Sequence, residues 1–146
     1  MAANPWKKYN SFPFRMAGKH IDFSGDTFKM ALFTSAGNAS NPTQTTYGSL
    51  TGELPTANGY TVGGVTLTGV SLTQATATVT WATGNATWTA SGGSLVFRYA
   101  VIYDSTTGDV ICWALLDNTP ADITVTSGNS FTVQINTLGV YTITGM

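Results

Sequence analysis

The feature of this chain that most constrains its fold is a succession of short segments in which apolar and polar side chains alternate. Residues 75–82 (ATATVTWA) and 130–136 (SFTVQIN) are clear examples. Alternation with a period of two is typical of β-strands that have one face in water, and no segment keeps a helical period for more than one turn. About eight strand-like segments recur roughly every ten residues, which is typical of a β-sandwich.

We therefore predict an all-β, single-domain β-sandwich, since a chain of 146 residues suits one domain. A jelly-roll-like topology is the first choice. An immunoglobulin-like topology is the alternative, because alternation does not reveal the order in which the strands connect. The cysteine and tryptophan pattern of true immunoglobulin domains is missing from the sequence.

The centre of the core is predicted from the most apolar segments. Residues 94–104 (SLVFRYAVIYD) and 109–117 (DVICWALLD) are separated by a short turn, and we expect them to form a central hairpin. Residues 28–35 (FKMALFTS) are apolar at nearly every position and predict a strand that is buried on both faces. Residues 130–136 and 140–144 predict a second hairpin.

Residues 1–19 differ in composition from the rest of the chain, because aromatic side chains alternate loosely there with most of the positive charge. Pro5 and Pro13 argue against a helix through this segment. We predict an extended N-terminal arm at 1–19 attached to a β-sandwich at 20–146. The arm either packs on its own domain or reaches onto a neighbour, and its charge favours the neighbour.

Residues 36–58 are a second candidate contact surface, because this long segment is rich in Asn, Ser, Thr, Gly and Pro and lacks a strand pattern. Loops of this length are uncommon in compact domains and are usually functional. We predict partner contacts at the aromatic and basic residues of the arm and at the apolar anchors of the loop. These candidates are Trp6, Lys7, Lys8, Tyr9, Phe12, Phe14, Arg15, Tyr47, Leu50 and Leu54.

The scarcity of charge points to an assembled protein. Charged residues make up 9% of the chain, against roughly 25% in an ordinary soluble domain. With a formal net charge of -1, copies repel one another weakly, and such surfaces tend to associate. No apolar stretch follows Lys7 and Lys8, and no run of about 18 apolar residues occurs, so we expect no signal peptide, synthesis in a cytoplasm and no membrane contact. Cys112 is expected to be a small buried apolar residue.

The chain offers few titratable groups that could converge on a substrate. His20 is the single histidine and no Gly-x-Ser-x-Gly motif is present, which favours a structural histidine. Asp22 and Asp26 lack the remaining ligands of a calcium-binding hand, so a turn held by aspartate side chains is favoured. One cysteine and one histidine cannot supply the usual zinc ligands. We predict no enzyme activity, metal, cofactor or small-molecule substrate.

The aromatic and basic residues of the chain also suit two other binding classes. Trp81, Trp88, Tyr47 and Tyr60 would suit a carbohydrate-binding face, but burial in the core or an interface is favoured. The basic arm would suit nucleic acid, but the pI near 5.5 favours contact with a protein surface instead.

Several of these segments carry a resemblance to a known family. The most telling are Gly-Tyr-x-x-Gly-Gly-x-x-Leu-x-Gly at 59–69 and Arg-Tyr-Ala-Val-Ile-Tyr at 98–103. Together with the segments at 28–35 and 131–144, they make the chain from Phe28 onward resemble small virion structural proteins of tailed bacteriophages. The arm lies outside the resemblance.

This resemblance implies a capsid decoration or cement protein, located on the capsid surface of the virion and made in the host cytoplasm. Its implied partners are the major capsid protein and further copies of itself, as a homo-oligomer (dimer or trimer). A tail, fibre or baseplate component is the first alternative, and a carbohydrate-binding module or adhesin is the second. The family brings no catalytic residues to carry over.

Overall fold

The structure is a computed structural model that describes residues 3–144, and these residues form an all-β sandwich with antiparallel strand pairs, as predicted. The elements are β1 (Lys7–Lys8), α1 (Phe12–Ala17), β2 (Phe28–Phe33), β3 (Val65–Thr66), β4 (Ser71–Ala75), β5 (Thr78–Ala82), β6 (Ala86–Thr89), β7 (Leu95–Phe97), β8 (Tyr99–Asp104), β9 (Val110–Leu115), β10 (Ile123–Val125), β11 (Ser130–Val133) and β12 (Tyr141–Thr144), with one turn of 3-10 helix at Tyr47–Ser49. The described residues contain no helix with the length and apolar character needed to cross a lipid bilayer.

The largest sheet has five strands in the order β1-β9-β8-β2-β3. At its centre, β8 and β9 form the predicted hairpin, and nearly all of their residues are buried. Strand β2 pairs with β8 along its whole length and is also almost entirely buried. The prediction of a strand buried on both faces is confirmed, and so is the central hairpin, except that residues 95–97 of its first predicted strand form the separate strand β7, which pairs with β10.

Both faces of this sheet are apolar, so each face requires its own cover. Successive side chains of a strand point to opposite faces. Accordingly, Met30 and Leu32 of β2 belong to one hydrophobic cluster, whereas Ala31 and Phe33 belong to another. The sheet therefore separates two cores, which we call the main core and the second core.

Aromatic residues of the smaller sheets close the main core. These sheets have the strand orders β12-β5-β4, β11-β6 and β10-β7. Trp81 of β5 lies against Phe28, with ring centroids 4.9 Å apart, and Phe97 of β7 lies against Phe131 of β11 at 5.0 Å. Edge-to-face aromatic pairs of this kind add to the free energy gained by burial alone.

The predicted second hairpin is wrong. Strands β11 and β12 do not pair with each other, because β11 pairs with β6 and β12 pairs with β5. The connection between them carries the chain from one sheet to another. Alternation identified both strands, but it contains no information about their partners.

The N-terminal segment, which was predicted as an extended arm at 1–19, packs on its own domain from residue 3 onward. This is the alternative that its charge disfavours. Strand β1 pairs with β9, and helix α1 follows it. The prediction that the prolines exclude a helix is wrong, because Pro13 lies in the first turn of α1, where its missing N–H and fixed φ are tolerated. Tyr9 and Phe12 are both 0% exposed, with Tyr9 in the second core and Phe12 in the main core.

Helix α1 offers a matched pair of phenylalanines that tests this packing. Phe12 is fully buried, whereas Phe14 on the same helix is 77% exposed. We expect Phe12→Ala to lower the free energy of unfolding by about 3–5 kcal/mol, since it leaves a cavity in the main core. Phe14→Ala should change it by less than about 0.5 kcal/mol. Denaturant unfolding of both variants checks this, and equal small effects would show that the segment is not packed in solution.

Candidate interaction surface

The N-terminal segment and the long loop, predicted as separate contact surfaces, lie side by side. The N–H of Asn10 donates to the carbonyl of Pro42 at 2.9 Å, and the hydroxyl of Tyr9 donates to the carbonyl of Ala39 at 2.5 Å. The N–H of Val110, at the start of β9, donates to the carbonyl of Thr45 at 3.3 Å. Together the two segments cover the second core, and we call their outer side the arm–loop surface.

The structure divides the ten predicted interface residues into three groups. Lys7, Lys8 and Phe14 are exposed; Trp6, Arg15, Tyr47 and Leu50 are partly buried; Tyr9, Phe12 and Leu54 are buried. The prediction of partner contacts is wrong for the last group, because these buried side chains hold the segments on their own domain and are not available to a partner. Aromatic residues near lysines are typical of a contact surface, but Tyr9 and Phe12 fill the two cores instead.

Two exposed features remain on the N-terminal segment. Lys7 and Lys8 lie on β1, at the outer edge of the five-stranded sheet, and the ammonium of Lys7 is 5.1 Å from the ring centroid of Trp113. This cation–π geometry places a positive charge over the edge of the sheet. Phe14 projects its ring into solvent from α1.

Arg15 ties helix α1 to the start of β9. Its Nε lies 3.5 Å from Oδ1 of the buried Asp109, and its guanidinium is 3.2 Å from Nδ1 of His20. The His20 side chain is exposed, with Nδ1 3.8 Å from the carboxylate of Asp109. The positive charge of Arg15 thus lies beside the buried carboxylate of Asp109. This ion pair stabilises the position of α1.

Glu53 anchors the long loop to the sheet. Its carboxylate accepts hydrogen bonds from the hydroxyls of Tyr47 and Tyr60 and from the N–H of Gly63, the last two at 2.7 Å. The hydroxyl of Tyr60 also accepts the N–H of Leu32 in β2 at 3.1 Å. Burial, and then the hydrogen bond to Glu53, raises the pKa of Tyr47 and Tyr60, so both hydroxyls remain donors at neutral pH.

Tyr103 links the same network to β8. Its ring stacks on the ring of Tyr47 with centroids 4.2 Å apart and planes 11° apart, and its hydroxyl donates to the carbonyl of Gly63 at 2.8 Å. Burial, and then the charge of Glu53, raises the pKa of Tyr103 to about 12. These side-chain hydrogen bonds therefore fix the loop, together with backbone hydrogen bonds such as that from the N–H of Leu54 to the carbonyl of Leu32 in β2, at 3.1 Å.

The aromatics considered for sugar stacking are largely buried. Trp81, Trp88 and Tyr60 belong to the main core, and Tyr47 is half-buried against Tyr103. The interpretation of the first three as core residues is confirmed. In these positions, the four aromatic side chains do not form an exposed face on which a sugar ring could stack.

The remaining sequence candidates are structural. Asp22 holds a turn, since its Oδ1 accepts the N–H of Ser24 at 2.9 Å and the hydroxyl of Ser24 at 2.7 Å. These bonds lower the pKa of Asp22. Cys112 is buried as expected, and burial raises the pKa of its thiol. Among residues 3–144, no three His, Cys, Asp or Glu side chains are grouped so as to hold a metal ion.

Comparison with known proteins finds no matching family model, no matching curated protein and no matching solved structure.

A second surface, which the sequence analysis did not single out, is free of charge. The sequence has no charged residue between Glu53 and Arg98 and none after Asp122. Strands β3 to β7 and β10 to β12 are therefore all uncharged, and we call this part of the molecule the neutral half. Its hairpin β4–β5 is particularly open, since residues 71–77 are all exposed. The neutral half could have been predicted from the positions of the charged residues along the sequence. The overall composition does not reveal it.

One buried carboxyl makes the stability of the fold depend on pH. Asp104, at the end of β8, is fully buried; its Oδ1 accepts the N–H of Thr106 at 2.8 Å and of Thr107 at 3.2 Å. Within residues 3–144, its Oδ2 has no donor, and the carboxyl of Asp26 lies beside it. Burial, and then the Asp26 carboxyl, raises the pKa of Asp104 to about 6 from the ordinary value of 3.8.

The sign of this pH dependence follows from proton binding. Between these two pKa values the folded chain retains a proton on Asp104 that the unfolded chain has lost. The free energy of unfolding should therefore fall as the pH rises from about 4 to about 6, and it should stay lower above that range.

Asp104→Asn preserves the Oδ1 acceptor and places an amide donor beside Asp26. We expect this variant to be more stable than the parent chain at pH 7, by on the order of 1 kcal/mol or more, with the difference shrinking towards pH 4. Denaturant unfolding across this pH range checks it. Asp117→Asn, at a partly exposed aspartate whose pKa is lowered by its hydrogen bonds to Thr119, is the control and should show no gain at pH 7. Loss of stability in Asp104→Asn at pH 7 would contradict the assignment.

Proposed function

We propose that this chain is a virion structural protein of a tailed bacteriophage, and specifically a capsid decoration or cement protein. Its partners are the shell of the major capsid protein and other copies of itself, and its location is the capsid surface after synthesis in the host cytoplasm. The resemblance from Phe28 onward supports the family, and the all-β sandwich is compatible with such a role. The observation that carries the proposal is the division of the surface into the arm–loop surface and the neutral half.

The neutral half suits close packing of many copies. Its exposed side chains include Thr73 of β4, Thr87 of β6, Thr124 of β10 and Thr142 of β12. Uncharged hydroxyl surfaces approach one another without Coulomb repulsion, and a decoration protein must sit beside identical neighbours on a lattice. Many weak contacts then act together through avidity.

The arm–loop surface suits contact with the shell. Phe14 is an exposed aromatic anchor on a helix that Arg15 and Asp109 hold in place. Buried aromatic anchors dominate the binding energy of protein interfaces, and a preorganised anchor loses little conformational entropy on binding. Lys7 and Lys8 on β1 add positive charge that steers the chain towards an acidic partner.

Abundance separates this proposal from its nearest alternative, a tail, fibre or baseplate component. A decoration protein occurs in amounts comparable to the major capsid protein, whereas a tail component occurs in few copies. Densitometry of purified particles that gave a few copies per virion would exclude decoration.

Substitution of the anchor tests the shell contact. We expect Phe14→Ala to weaken binding to undecorated capsid shells by at least about tenfold, since truncating a hot-spot anchor costs about 2 kcal/mol or more. The matched control is Val96→Ala, at an exposed apolar residue on β7 of the neutral half, which should bind nearly as well as the parent chain. Cosedimentation with shells measures both, and unchanged binding of Phe14→Ala would remove the arm–loop surface from the contact.

A further inference from the structure

Strand β4 leaves one side of its backbone without a partner strand. It is an outer strand of the sheet β12-β5-β4, and a two-residue turn at Thr76 and Ala77 connects it to β5. Residues that flank a two-residue turn exchange both of their hydrogen bonds, and the pattern then alternates. Ser71, Thr73 and Ala75 therefore bond to β5, whereas the N–H and C=O groups of Leu72 and Gln74 point outwards.

These outward groups are accessible. All five residues of β4 are exposed, including the side chain of Leu72 at 48%. Among the residues that the structure describes, no turn, loop or side-chain donor or acceptor bonds to the N–H of Leu72 or Gln74.

The edge also lacks the features that normally prevent strand pairing between molecules. Proteins protect sheet edges with lysines, prolines, bulges or very short strands. The five-stranded sheet follows this rule, since its edge strand β1 carries two lysines and its edge strand β3 has only two residues. Strand β4 has five uncharged residues without proline, and its register with β5 is unbroken from Ser71 to Ala75.

We propose that two copies of this chain pair through β4, antiparallel and about a two-fold axis at Thr73. In this register Leu72 of one copy lies opposite Gln74 of the other, so each outward N–H meets an outward C=O. Thr73 of each copy faces its own counterpart across the axis. The two β12-β5-β4 sheets become one continuous sheet, and no charge in either hairpin opposes the approach.

The occupant of this edge is a second copy because the hydrogen-bonding pattern is self-complementary. The contact is short, so we expect a weak dimer that dissociates on dilution, as transient small interfaces do. The inference concerns the chain alone in solution. Its failure would leave the proposed function intact, and failure of the proposed function would leave the dimer intact.

Sedimentation equilibrium over a dilution series, with hydrogen exchange at high and low concentration, tests the pairing. Thr73→Lys places like charges opposite each other on the axis and should raise the dissociation constant by at least about tenfold. The matched control Thr124→Lys introduces the same charge at an exposed position of β10 and should dimerise like the parent chain. The amides of Leu72 and Gln74 should exchange slowly in the concentrated parent chain and rapidly in Thr73→Lys.

Circular dichroism shows whether the variants fold. If Thr73→Lys does not fold, Leu72→Pro replaces it, because this change removes an outward N–H and spares the hydrogen bonds to β5. A parent chain that stays monomeric up to millimolar concentration would overturn the proposal. A dimer that persists unchanged in the folded variant would also overturn it, as would a dimer lost equally in Thr124→Lys.

Discussion

A sheet that is apolar on both faces is the constraint on which the rest of this structure depends. Strands β2, β8 and β9 place large side chains on both faces, and exposure of either face to water would cost several kcal/mol for each pair of large residues. The smaller sheets cover the main core. Among residues 3–144, no second sheet contributes to the second core, so the N-terminal segment and the long loop must cover it, with Tyr9 and Tyr47 packed against the sheet.

This requirement explains why charge is distributed unevenly. Charged and tyrosine side chains hold the segments that cover the second core. Arg15 pairs with Asp109, and Glu53 accepts hydrogen bonds from the hydroxyls of Tyr47 and Tyr60. Strand pairing and aromatic packing hold the neutral half together, and its one ion pair, Arg98 Nε to Asp122 Oδ1 at 2.8 Å, lies at its boundary beside β7 and β10 within the described residues. Its surface can therefore consist of threonine and serine, which lets identical molecules lie against one another and leaves the open edge of β4 available.

Sequence patterns predicted the centre of the fold better than its periphery. Long apolar runs have few solutions in a small all-β domain, so β2 and the β8–β9 hairpin were predictable. Helix α1 was missed because a proline in the first turn is compatible with a helix. The partners of β11 and β12 were missed because alternation fixes the face of a side chain and not its neighbour strand. For the candidate site, the sequence selected the correct segments but did not distinguish Phe12 from Phe14, since burial depends on how the segment crosses the edge of the sheet.

Removal of residues 1–19 tests the central claim most directly, because it uncovers both cores along the edge of β9. Denaturant unfolding of the truncated chain, together with binding of a dye that reports exposed apolar surface, is the measurement. We expect a large fall in the unfolding midpoint and strong dye binding. A truncated chain with an unchanged midpoint and no dye binding would contradict it, because the segment would then be a separate arm on a self-sufficient sandwich.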